Sequence, residues 1–218
     1  MNIHGILNRI IKPFRQRRMH AFMQAMKPQP SDKILDVGGN IYNWALTNCK
    51  SELTLLNIKF PDGEVSSPNL NASYVIGDGT DLQYGDGTYD ICFSNSVIEH
   101  VGTHEQQRRF AEEIRRVGKK IWIQTPAKGF FFEPHYVTPF VHWMPRSAQK
   151  KILRNFSIWG LITRPSQEYV DDFVDQTRLL TFREFKELFP DCLILKERFF
   201  FMAKSYIAVR SPATKPIV

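Results

Sequence analysis

Lys33-Ile34-Leu35-Asp36-Val37-Gly38-Gly39-Asn40 is the stretch that decides the fold. A short apolar run reaches an acid and two glycines, and a helical stretch follows. A strand that leaves through a glycine turn into a helix lets backbone N–H groups approach a ligand that a Cβ would hold off. Alone, this is also the shape of any strand-to-helix turn. Its meaning comes from the segments on either side.

Downstream, apolar runs alternate with helical ones. Leu53–Asn57, Ser73–Ile76, Tyr89–Ser94 and Lys120–Gln124 read as strands 2 to 5 after Lys33–Val37, with the continuous hydrophobicity of strands buried on both faces. Tyr42–Asn48 reads as the first helix, and residues 60–72, with two prolines, predict a short or missing second one. Thr103 with Gln106, and Thr181 with Glu184, form capping boxes that open two further helices. Cys192–Glu197 and Ser205–Arg210 are close enough in sequence to pair as a terminal hairpin. Each early strand stops at a polar residue: Asp36, Asn57, Asp78, then Asn95-Ser96. In open α/β sheets, ligands sit beyond the carboxyl ends of the strands, which is where these residues fall.

At these residues the chain resembles the class I S-adenosylmethionine-dependent methyltransferases, and within them the type 11-like group. Their first motif is an acid followed by a glycine-rich loop; here Asn40 and Tyr42 replace the second and third glycines. The resemblance covers residues 31–126 and 181–210, and Gln124-Thr125-Pro126 through Glu133-Pro134-His135 adds to it. It implies a Rossmann-like α/β fold, a seven-stranded and mostly parallel sheet with a C-terminal antiparallel hairpin and helices on both faces. It implies S-adenosylmethionine as cofactor. Asp36, Gly38 and Gly39 would face its methionine part, and Asn57 would take the place of the acid that holds the ribose. Asp78, Gly79 and Thr80 would meet the adenine, with Asn95 and Ser96 near the sulfonium. His100, just beyond strand 4, and His135, beside Glu133, are the candidate catalytic bases.

The formal charge of +7 is concentrated at one end: residues 1–31 carry six Lys or Arg and no acid. Apolar residues recur there at helical spacing, and Pro13 predicts a break between two helices. Residues 1–30 thus read as a basic amphipathic segment ahead of a domain over 31–218. Packing on the domain, contact of residues 1–27 with an anionic membrane, and contact with nucleic acid all fit such a segment. A nucleic-acid partner is disfavoured, because charge over the rest of the chain is near neutral. The amino terminus shows no secretory signal, no apolar run reaches ~18 residues, and the three cysteines are widely spaced. The expectation is a cytoplasmic, reduced protein, membrane-peripheral if its first helix binds lipid.

Residues 126–180 interrupt the rhythm with prolines and many aromatics, as a lid or binding insertion does, and a basic helix is expected near Arg146–Phe156. His135 and His142 lie in this insertion without a third ligand at a persuasive spacing, so no metal is expected. A nicotinamide-binding glycine motif is absent, as are the Pro-Pro-aromatic motif of base-amino methyltransferases and a Cys after Pro for cytosine carbon-5 chemistry. A small-molecule acceptor, with a sugar, lipid-linked or secondary-metabolite hydroxyl first, is the expected partner. An RNA substrate and a silent scaffold are the alternatives.

Overall fold

The computed structural model describes residues 3–60 and 70–211, with side chains from Pro13 onward. The chain enters through α1 (Ile3–Met26) and then runs β1 (Lys33–Val37), α2 (Ile41–Trp44), β2 (Glu52–Asn57), β3 (Ala72–Ile76) and β4 (Tyr89–Asn95). It continues through α3 (His104–Val117) and β5 (Gly118–Pro126) into the insertion. There it forms a two-stranded ribbon, β6 (Phe132–Glu133) with β7 (Thr138–Pro139), and three helices, α4 (Arg146–Phe156), α5 (Ile158–Thr163) and α6 (Gln167–Gln176). The end is α7 (Phe182–Leu188), β8 (Leu193–Phe199) and β9 (Met202–Arg210).

Seven strands make one sheet in the order β3-β2-β1-β4-β5-β9-β8. The first five run parallel, and β9 pairs antiparallel with both β5 and β8. The order reverses at β1 and β4, whose carboxyl ends therefore open a crevice. Side chains alternate across the sheet. Leu35, Cys92, Ile121 and Ala208 meet α3 and α7 on one face, while Ile34, Phe93, Trp122 and Ile207 meet α1 and α2 on the other. Both expected capping boxes form, at Thr103/Gln106 and Thr181/Glu184.

Three expectations are corrected. Pro13 does not divide two helices: α1 is continuous across it. Pro13 is exposed, so water can take up the carbonyl that its missing N–H leaves unbonded. The helix expected over Tyr42–Asn48 is one turn, α2, whose role is to seat Trp44 under the sheet. The insertion is not irregular: Tyr136, Val141, Leu153, Val170 and Val174 close a small core of their own. The helix expected to be short or missing over 60–72 falls mainly on 61–69, outside the described residues.

The first segment is not an arm standing off the domain. Met19, Phe22 and Met26 are buried against the sheet, with the Phe22 ring 5.6 Å from Trp44, 5.0 Å from Phe93 and 5.8 Å from Trp122. Burying such a ring contributes about 1.5–3 kcal/mol. No helix among the described residues is long and apolar enough to cross a membrane.

A candidate active site at the carboxyl edge of the sheet

The ends of β1 and β4 border a cavity of about 680 Å³. Asp36, Gly38, Gly39, Asn95 and Ser96 line it, as expected, and so does His135 from the insertion. Asn57, Asp78, Gly79 and Thr80 do not line it. They lie on the adjoining edge, where Gly77 N donates to Asn57 O at 3.0 Å and Gly38 N to Leu56 O at 2.7 Å. Asp78 is exposed; its Oδ1 accepts from the Thr80 amide and hydroxyl, each at 2.8 Å.

Asp36 is buried, and Trp44 Nε1 donates to its Oδ2 at 2.7 Å. Desolvation pushes its pKa up from 3.8 to about 7, with the Trp44 bond opposing the rise. Gly38 sits at φ +75°, where a Cβ would also run into Val97. A Cβ on Gly39 would stand 2.1 Å from the Asp36 carboxyl, so this glycine leaves room for the acid. Ser96 holds a left-handed backbone at φ 56°. Its hydroxyl donates to Gln124 Oε1 at 3.0 Å and its amide to Gln124 O at 3.0 Å, which fixes that strained turn.

Arg18 joins the site from α1, although Arg15, Gln16 and Arg17 before it face solvent. Its guanidinium donates to Asn95 Oδ1 at 2.6 Å, to Gln124 Oε1 at 3.2 Å and to both oxygens of Glu197 at 3.3 and 2.9 Å. Sequence periodicity could not find it: Arg15, Arg17 and Arg18 look alike until the sheet edge selects one. Phe130, Phe131, Phe132 and Phe199 give the cavity an apolar, aromatic side.

The two candidate bases meet. His100 Nε2 lies 3.0 Å from His135 Nε2, and His135 Nδ1 donates to Glu133 Oε1 at 2.6 Å. Burial and then the neighbouring His135 drive the His100 pKa down to about 4. For His135, burial lowers the pKa, but Glu133 and Glu99 outweigh it and the net shift is upward. His135 lines the cavity; His100 does not. Both ring nitrogens of His135 are engaged, so neither stands free to take a proton from an acceptor.

The group that forms around His135 is not the one with His142: His100 and Glu99 gather there instead. Glu99, next to His100, joins the pair, with Oε1 3.8 Å from His135 Nε2. His142 instead turns its Nε2 to Lys128 O at 3.0 Å. The signal was an adjacent Glu-His at the end of β4 and a Glu-x-His in the insertion; only the fold brings them together.

A switch-point cavity under a seven-stranded sheet closed by an antiparallel pair defines the class I S-adenosylmethionine-dependent methyltransferase fold. Residues 35–120 match the family described as "Methyltransferase domain". An "Uncharacterized methyltransferase" of Mycolicibacterium gilvum (strain PYR-GCK) is 35% identical over 89 residues, which are 38% of this chain and 34% of that protein. The match thus spans about a third of that relative's length. Among solved structures, magnesium protoporphyrin IX methyltransferase of Synechocystis PCC 6803, with bound SAH, superposes with TM-score 0.55 at 12% identity, covering 97% of this chain and 89% of that one. A protein of Pyrococcus horikoshii OT3 gives 0.54 at 16%, covering 96% and 91%. S-adenosylmethionine is the cofactor of this class. The donor set fits it: a buried carboxyl for the ammonium and loop amides for the carboxylate of the amino-acid end, and polar strand ends for a nucleoside.

Proposed function

We propose that the protein methylates a hydroxyl on a small molecule with an apolar body, using S-adenosylmethionine. The observation that carries this reading is the shared cavity: the strand ends suited to the cofactor's amino-acid end and the aromatic side chains of the insertion line one space. Asp36 and the Gly38-Gly39 turn would hold that end, while Asn57 and Asp78 would meet the ribose and adenine. The bound cofactor supplies a methyl group on a positive sulfur that leaves as a neutral thioether. Phe130, Phe131 and Phe132 would seat the acceptor and exclude water, which favours transfer over hydrolysis. A lipid-linked or aromatic acceptor suits these phenylalanines better than a free sugar. RNA is disfavoured as the acceptor, because Arg18 is spent on Glu197 inside the protein.

Calorimetry with S-adenosylmethionine tests the cofactor half. One site per chain is expected, weakened by about 1–3 kcal/mol in Asp78→Ala through a lost hydrogen bond. A folded protein that binds neither cofactor nor its demethylated product would refute the enzyme and leave the scaffold. Labelled methyl transfer to a panel of hydroxylated lipids, aromatics, sugars and RNA tests the acceptor; transfer to RNA alone would overturn the small-molecule reading.

A further inference from the structure

We propose that Glu99, His100 and His135 bind one divalent transition-metal ion of the zinc type. Their three ligand atoms lie within 4.8 Å of one another. His100 Nε2 and His135 Nε2 are 3.0 Å apart, and Glu99 Oε1 is 3.8 Å from His135 Nε2. Around a tetrahedral ion with bonds of about 2.0–2.1 Å, two ligand atoms stand about 3.3 Å apart. Two of the three separations are therefore within about half an ångström of that value, and the third closes by about 1.5 Å at most.

Glu99 gives an independent indication. It is fully buried, and while Oε2 accepts from Thr125 Oγ1 at 2.9 Å, Oε1 has no hydrogen-bond partner. A buried carboxylate oxygen left bare is expensive. A proton on it would remove the charge and still find no acceptor. A cation between Oε1 and the two facing imidazoles satisfies all three groups at once.

The surroundings are those of metal-ligating histidines, whose second nitrogen is held by an outer partner. His135 Nδ1 is bonded to Glu133 Oε1 at 2.6 Å, and Glu133 Oε2 accepts from the Tyr136 amide at 2.9 Å. His100 Nδ1 lies 3.5 Å from Thr177 Oγ1. Two imidazoles and one carboxylate suit zinc and its neighbours, whereas magnesium and calcium prefer oxygen alone. Three protein ligands leave a position open, and His135 borders the cavity. On the proposed transfer reading, that position would receive the acceptor hydroxyl. The ion would lower the pKa of that hydroxyl, whose proton would leave to solvent at the cavity mouth while its oxygen bonded the methyl carbon and the sulfur kept the electron pair of the bond that breaks. Ion binding itself does not depend on that reading.

The test uses tag-free full-length protein, stripped with chelator and titrated with Zn2+ in a calorimeter, with Co2+ absorption as a second readout. The expected result is one Zn2+ per chain, at least a hundredfold tighter than Mg2+. Affinity should fall a hundredfold or more in His135→Ala and in Glu99→Gln, and stay within threefold in His104→Ala, whose histidine is exposed. Circular dichroism establishes which variants fold; should Glu99→Gln not fold, the wild-type titration and His135→Ala decide. Absence of saturable Zn2+ binding by the folded wild type, or binding that survives His135→Ala, would overturn the site. Zn2+ binding without cofactor binding would uphold the metal site while refuting the transferase reading.

Discussion

Replacing Asp36 with asparagine should stabilise the protein, and the gain should grow with pH. Folding raises the Asp36 pKa from 3.8 to about 7, because burial opposes its charge. Below the unfolded value the proton is on in both states, and the group's contribution is fully present. Between about 4 and 7 the unfolded chain ionises while the folded one does not, and stability falls by about 1.4 kcal/mol per pH unit. Above about 7 both are ionised, and the accumulated loss is roughly 4 kcal/mol. Asparagine has no such loss and retains an oxygen for Trp44 Nε1. Denaturant unfolding of both proteins at pH 5 and pH 8 should therefore show the difference in stability shift in favour of Asp36→Asn by roughly 2–3 kcal/mol. A difference that does not change with pH would refute a desolvated carboxyl at this place. The same variant should lose cofactor affinity, since the carboxylate's charge is the proposed partner of the ammonium on the cofactor's amino-acid end. For the wild type, affinity should fall as pH drops below about 7, because the proton must leave before the ligand binds. Protein destabilised by its own acid, yet unable to bind without it, is what a functional carboxylate looks like.

Phe22→Ala should cost roughly 3–5 kcal/mol in chemical unfolding, because three aromatic partners surround a fully buried ring; a loss under ~1 kcal/mol would make α1 a loose attachment. Arg18→Ala should cost about 2 kcal/mol, reduced from the fully buried case since Glu197 keeps a quarter of its side-chain surface in water; a stability unchanged within error would show the ion pair to be solvated. Phe200 and Phe201, at the β8–β9 turn, are 83% and 84% exposed and adjoin Phe199 at the cavity. We expect them to enter a bilayer surface, so Phe200→Ser with Phe201→Ser should lower flotation with anionic liposomes at least threefold without changing unfolding. Equal flotation of variant and wild type would remove this turn from any membrane contact.

The sheet was legible in the chain because its signals are local. Apolar runs buried on both faces mark the parallel strands, a polar residue marks each carboxyl end, and Thr-x-x-Gln and Thr-x-x-Glu mark two helix starts, all without reference to distant residues. Asp36, Gly38, Gly39, Asn95 and Ser96 could be assigned to one edge for the same reason. What depends on pairing across the fold was not legible. Pro13 is harmless only because its side of α1 faces water, and Arg18 differs from Arg17 only because Asn95, Gln124 and Glu197 converge on it. Glu99 and His100 acquire a partner in His135 because the insertion folds back over β4, across 35 positions of chain. Sequence alone determined the layers and the edge where a ligand belongs, since periodicity and turn chemistry act over a few residues. Tertiary structure alone decided which charges are buried and which rings face one another, since desolvation and coordination depend on neighbours that the chain brings from afar.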